Sequence, residues 1–123
     1  MEQFDWKNLP FGYIKTDYNI RYKFKDGKWG DPEVSSSEYI DIHIAATGLH
    51  YGQEAFEGMK AYMGKDGKVR VFRWDENAKR LIRSAEGIKM APVPVELFKD
   101  AVFQAIKLNK KFVPPFGSGA SLY

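Results

Sequence analysis

From Tyr18 onward apolar and polar residues alternate. Tyr18, Ile20, Tyr22 and Phe24 stand between Asn19, Arg21 and Lys23, the two-residue period of a strand with one apolar face. Asp26-Gly27 then supplies a tight turn, because glycine accepts the positive φ such turns need, and Lys28-Trp29 begins a return strand. Gly30-Asp31-Pro32 and Ser35-Ser36-Ser37 mark a loop, after which residues 39–44 alternate again and predict a strand. A second hairpin is expected where residues 56–63 and 69–74 flank Gly64-Lys65-Asp66-Gly67. At Asp75, a plausible N-cap, the period lengthens: Ala78, Leu81, Ile82 and Ala85 share one helical face. Gly87, Pro92 and Pro94 close that helix, and a second is expected over residues 95–111, with Phe98, Val102, Ala105, Ile106 and Phe112 as its stripe. Residues 113–119 form a Pro- and Gly-rich loop, and Ser121-Leu122-Tyr123 has the look of an opening strand. The pattern predicts an α+β domain, an antiparallel sheet of hairpins packed with two helices, over residues 13–123. Residues 1–12, with Phe4, Trp6, Leu9 and Phe11 around a proline, form an aperiodic arm.

Composition narrows the class without naming a function. At 123 residues, 44% hydrophobic and 15% aromatic, the chain suits one ordered domain and not a disordered segment. No run approaches the roughly 20 apolar residues of a membrane span, and the first residues have neither the basic nor the apolar region of a secretory signal. A soluble, cytoplasmic protein without a membrane partner is therefore expected. The lack of cysteine removes disulfides, thiolate nucleophiles and thiolate metal sites together. His43 and His50, seven apart with no HxxxH or HExxH, make no metal site. The net charge of +3 comes from basic residues interleaved with acids, which describes a solvated surface better than a nucleic-acid footprint. No GxGxxG or GxxxxGK[ST] loop is present.

One stretch is more specific. It runs Gly48-Leu49-His50-Tyr51-Gly52-Gln53-Glu54-Ala55-Phe56-Glu57-Gly58-Met59-Lys60, continues through Val71-Phe72-Arg73 into a helix carrying Arg80-Leu81, and the chain closes on Leu122-Tyr123. In order and spacing these motifs resemble the branched-chain amino-acid aminotransferases, fold-type IV enzymes that use pyridoxal 5′-phosphate. The likeness spans residues 12–123 and corresponds to the small N-terminal domain of such an enzyme, cut before the domain that carries the cofactor lysine.

The resemblance implies roles for six residues. Arg80 stands where the family contacts the cofactor phosphate, a task suited to a permanently charged, planar guanidinium. From the residues alone it reads equally as a solvated arginine beside Lys79 and Arg83. Tyr51, Phe56, Gly58 and Lys60 match positions lining the substrate side-chain pocket. Aromatic walls suit a branched aliphatic group, at roughly 0.8 kcal/mol per buried methylene, and a glycine lets ligand and backbone approach closely. On a strand, Phe56, Gly58 and Lys60 would share one face. The plainer alternatives are a core Phe56, a bulge at Gly58 and a solvent-reaching Lys60. Tyr51 matches a residue that serves the other subunit's pocket in a homodimer. Tyr123 matches the tyrosine whose hydroxyl holds the substrate carboxylate, and reads equally as a strand-edge residue.

The implied activity is transfer of an amino group between leucine, isoleucine or valine and 2-oxoglutarate, in branched-chain amino-acid biosynthesis. The family's Schiff-base lysine and the glutamate facing the cofactor's pyridine nitrogen have no counterpart in context among these 123 residues. No catalytic residue is assigned here, and the chain alone is expected to be inactive. The nearest rivals are the D-amino-acid aminotransferases and the 4-amino-4-deoxychorismate lyases, whose equivalent stretch runs closer to Gly-Asp-Gly-(Ile/Leu)-(Tyr/Phe)-Glu. A basic single-stranded nucleic-acid binder would instead need aromatics gathered on one exposed sheet face, and an inactive interaction module is a third reading.

Overall fold

The structure, a computed structural model, describes residues 4–123; residues 1–3 of the expected arm lie outside it. The elements in chain order are β1 (Asn19–Arg21), β2 (Phe24–Lys25), β3 (Lys28–Trp29), β4 (Glu33–Ser35), α1 (Thr47–Tyr51), β5 (Ala61–Met63), β6 (Val69–Val71), α2 (Trp74–Gly87) and α3 (Val95–Leu108), followed by a 3₁₀ turn at Lys110–Phe112. The α+β class holds, but the single sheet does not. The strands form three separate antiparallel pairs, β1 with β4, β2 with β3 and β5 with β6.

Both Asp-Gly turns form. Asp26 and Gly27 each take positive φ, 52° and 75°, the backbone a two-residue hairpin requires. The hairpin they close is capped by a T-shaped Phe24–Trp29 contact at 5.2 Å, and the Trp29 indole donates to the Pro92 carbonyl at 3.0 Å, tying it to the α2–α3 connection. Ser35 lies in β4, not in a loop: Ile20 faces Val34 in a ladder that the alternation of 18–24 alone did not reveal. Nor does that alternation bury one face, since Ile20 and Tyr22 are half-buried while Tyr18 and Phe24 are exposed.

Residues 39–44 are not a strand. They have no ladder partner, and Tyr39, Ile40, Ile42 and Ile44 are all exposed, Tyr39 by 83% and Ile44 by 80%. Alternation predicts a strand only where a neighbouring edge can take up its backbone groups; here Arg21 and Ser37 side chains bond the Tyr39 carbonyl instead.

The helices form the centre. Ala78 and Ala85, two turns apart on α2, are buried, as is Phe98 on α3, and the two helices pack against each other. The α3 stripe is as expected, with Val102, Ala105 and Ile106 half-buried beside Phe98; the helix stops at Leu108, so Phe112 belongs to the 3₁₀ turn. Helix α2 starts one residue before the expected cap. Arg73, in left-handed conformation (φ 49°), is its N-cap without a side-chain bond, and Asp75 sits inside the first turn, where its charge favours the N-terminus of the helix dipole. Buried Asn109 joins α3 to β1: its amide accepts from the Tyr18 N–H at 3.0 Å and donates to the Tyr18 and Ala105 carbonyls at 2.9 Å each. The arm does pack without regular structure, Phe4 lying 5.9 Å from Phe112.

Candidate functional site

Between α1 and β5, residues 53–60 take up no regular secondary structure, so the expected strand over 56–63 is present only as Ala61–Met63. What fixes the approach is bonding from its side chains. Glu57 turns inward, with only 4% of its side chain exposed, and meets Arg80 of α2, whose side chain is 62% exposed. Arg80 Nε donates to Glu57 Oε2 at 2.8 Å and Nη2 donates to Oε1, a two-pronged pair. Asn77 Nδ2 donates to Glu57 Oε1 at 2.9 Å and to the Gly58 carbonyl at 3.1 Å, and the Gly58 N–H donates to Glu57 Oε1 at 3.2 Å. Residues 77 and 80 lie three apart on α2, so both reach the same segment.

These bonds set the electrostatics. The Arg80 hydrogen bond, helped by Asn77, by the guanidinium charge and by the Gly58 amide, outweighs burial and draws the Glu57 pKa down to about 2. The same carboxylate pushes Arg80 above its ordinary value. Among the described residues Nη1 of Arg80 makes no hydrogen bond, so the outer edge of the fork is open to the oxygens of an anion.

Gly58 has a second neighbour. A Cβ built there would overlap the Tyr123 hydroxyl and stand 3.0 Å from its Cε2 and Cζ, so only glycine leaves this tyrosine its place. Tyr123 is brought to it by a bridge between Ala61 and Leu122, with paired bonds of 2.8 and 3.1 Å. That bridge is all that forms of the expected terminal strand. Phe56, Gly58 and Tyr123 together line a groove of about 590 Å³ that runs over Ile20, Val71 and Phe98. Phe56 is 85% exposed at its rim, which overturns the core alternative.

Two expected residues stand apart. Tyr51 ends α1, a short helix that the apolar pattern does not predict, and lines a separate cleft of about 350 Å³ with Gln53 and Ile88. Gly52 stops that helix at φ 63°, and Gln53 docks it by donating to the Ile88 carbonyl at 2.8 Å. Lys60 is exposed and lines neither space, so Phe56, Gly58 and Lys60 do not form one strand face.

Comparison with known proteins decides the kinship. No family model matches the chain. It is 46% identical over all 123 residues to a branched-chain-amino-acid aminotransferase of Haemophilus influenzae and, at the same identity and coverage, to one of Helicobacter pylori. It is 41% identical over 120 residues to the chloroplastic branched-chain amino acid aminotransferase 2 of Humulus lupulus, with 97% of the chain covered. The chain is a homologue of the branched-chain amino-acid aminotransferases. It spans about a third of the length of these curated relatives, 36% of the two bacterial ones and 29% of the plant one.

Within this aminotransferase homologue the sequence reading missed Glu57 and Asn77. Glu57 was in view inside Phe56-Glu57-Gly58, but an acid beside a proposed anion site draws no attention until its own partner is known. The available signal was the Asn77–Arg80 spacing, which places an amide and a guanidinium on one helical face. All fourteen lysines of the chain are exposed. No described helix is long and apolar enough to cross a membrane.

Proposed function

We propose that this chain is the small N-terminal domain, residues 13–123 after an arm over 1–12, of a fold-type IV branched-chain amino-acid aminotransferase. Its reaction moves an amino group between leucine, isoleucine or valine and 2-oxoglutarate. The observation that carries this reading is the 46% identity along every residue of the chain to enzymes of that name. Pyridoxal 5′-phosphate, when bound, supplies the electron sink of the transfer, and its lysine belongs to a larger second domain.

The donor set fits the phosphate end of that group: a guanidinium with one edge anchored on Glu57 and the other facing solvent. In this reading Arg80 binds the phosphate. Tyr123 donates its hydroxyl to the substrate carboxylate beside Gly58, where a larger residue would displace it. Phe56 walls the aliphatic side chain, Lys60, which lines neither space, is given no part in that wall, and Tyr51, remote from the groove, serves the pocket of a partner subunit. A homodimer, which would cover the exposed apolar residues between Tyr39 and Ile44, and a cytoplasmic location are part of this reading.

The nucleic-acid reading finds little support. Of the exposed aromatics only Phe24 and Tyr62 lie on strands, and they belong to different strand pairs, so no stacking platform is built. Assay of the full-length protein separates the remaining rivals. L-leucine, L-isoleucine and L-valine should be converted with 2-oxoglutarate as acceptor and D-alanine should not; turnover of D-alanine alone, or of aminodeoxychorismate, contradicts the reading.

A further inference from the structure

A surface arginine paired with a carboxylate is ordinarily a contact between two solvated ends, held loosely and of little consequence. The Glu57–Arg80 pair has another build. Its acid is the buried member and its base the exposed one, at 4% and 62%. The carboxylate is fixed before Arg80 is considered, by Asn77 from the helix and by the Gly58 N–H from the chain's own backbone. Arg80 meets it through Nε and Nη2, the inner edge of the guanidinium. With that edge anchored at two points, the plane of the fork is set, and Nη1 with the second Nη2 hydrogen points away from Glu57.

A carboxylate placed for charge alone would work against anion binding, since it cancels the arginine's positive field. A carboxylate that immobilises the fork works for it, because an arginine otherwise loses rotamer freedom when its ligand arrives. We propose that Glu57, seated by Asn77 and the Gly58 amide, is a positioning residue that presets Arg80 so that its outer edge receives a phosphate monoester. This rests on the reading of Arg80 as the ligand of the cofactor phosphate. It also gives Phe56-Glu57-Gly58 a double task, with Glu57 aligning the phosphate end and Gly58 making room for Tyr123 at the substrate end.

The test compares pyridoxal 5′-phosphate with pyridoxal, which lacks the phosphate, as ligands of the full-length protein freed of cofactor. Glu57→Gln should weaken the phosphorylated ligand about two- to tenfold, the range expected for losing one preset side chain, and leave pyridoxal unchanged. Combined with Arg80→Ala it should add nothing to the loss from Arg80→Ala alone. Asn77→Ala, which loosens the seat without removing a charge, should give a smaller loss of the same kind should Glu57→Gln fold poorly. In the wild type the Arg80 Nε–H should exchange slowly with solvent by NMR, and quickly in Glu57→Gln. Equal weakening of both ligands, tighter phosphate binding in Glu57→Gln, or an unchanged Nε–H exchange rate overturns the inference while Arg80→Ala still lowers phosphate selectivity. Phosphate selectivity that survives Arg80→Ala overturns the underlying reading of Arg80, and the inference with it.

Discussion

Glu57 keeps its charge far into acid because Arg80 donates to it directly, which draws its pKa to about 2 from an ordinary 4.5. A depressed folded-state pKa means that the unfolded chain takes up the proton first. The stabilisation is therefore whole above pH 4.5 and is lost as pH falls through that value toward 2. Thermal unfolding of wild type and Glu57→Gln should show a gap in melting temperature that is constant at neutral pH and closes between pH 4.5 and 2; a gap independent of pH would show that the carboxylate charge contributes nothing. Gly58→Ala should cost little stability, under about 0.5 kcal/mol, because the clashing group is the far end of an exposed tyrosine. It should raise KM for the amino-acid substrate as Tyr123 moves, and an unchanged KM would separate Tyr123 from the substrate. Asn109→Ala removes a buried amide that bonds both the N–H and the carbonyl of Tyr18, so a loss of about 1–3 kcal/mol is expected by denaturant titration. At this scale the sequence offered Gly58 and Arg80 through residue types suited to a close backbone approach and a planar charge, roles that came from the resemblance and not from the residues alone. It was silent on Glu57, Asn77 and Asn109, polar residues whose work depends on partners 20 to 91 positions away.

Elements were legible where their stabilisation is local. Asp26-Gly27 turns the chain by its own backbone preference, and the Ala78, Leu81, Ile82 and Ala85 face of α2 declares itself by spacing. Residues 39–44 misled because a strand is a shared object: alternation gives it a face, and only a neighbour gives it a ladder. Gly87, Pro92 and Pro94 mark the end or aftermath of α2 in the sequence; the helix includes Gly87 as its last residue, and Lys89 does the turning. At φ 61° it occupies the left-handed position of a Schellman motif, with the Met90 N–H on the Ala85 carbonyl at 2.9 Å and the Lys89 N–H on the Glu86 carbonyl at 3.1 Å. A side chain there costs about 1 kcal/mol, so Lys89→Gly should stabilise the chain by a similar amount. The midpoint of urea unfolding checks this; a lower midpoint would mean that the extra backbone freedom of glycine in the unfolded chain outweighs the strain relieved.

The molecule as a whole has a narrow centre and a wide apolar surface. Among the described residues the buried hydrophobic ones are Ala61, Ala78, Ala85, Phe98 and Val113, whereas Tyr39, Ile44, Tyr51, Phe56 and Tyr123 stand open. Buried Ala78 and Ala85 belong to α2, which packs on α3, and the bridge from Ala61 to Leu122 carries Tyr123 to Gly58. The α+β class was readable from the order of periods, but the division into three strand pairs was not, since pairing depends on which edges meet in space. The proposed aliphatic pocket has a consequence that can be measured directly on the full-length protein. With 2-oxoglutarate as acceptor, kcat/KM should rise along L-alanine, L-2-aminobutyrate and L-norvaline by about fourfold per methylene, the equivalent of roughly 0.8 kcal/mol each, with leucine, isoleucine and valine among the best substrates. A flat series, or D-alanine outrunning L-leucine, would contradict the assignment to branched-chain transamination.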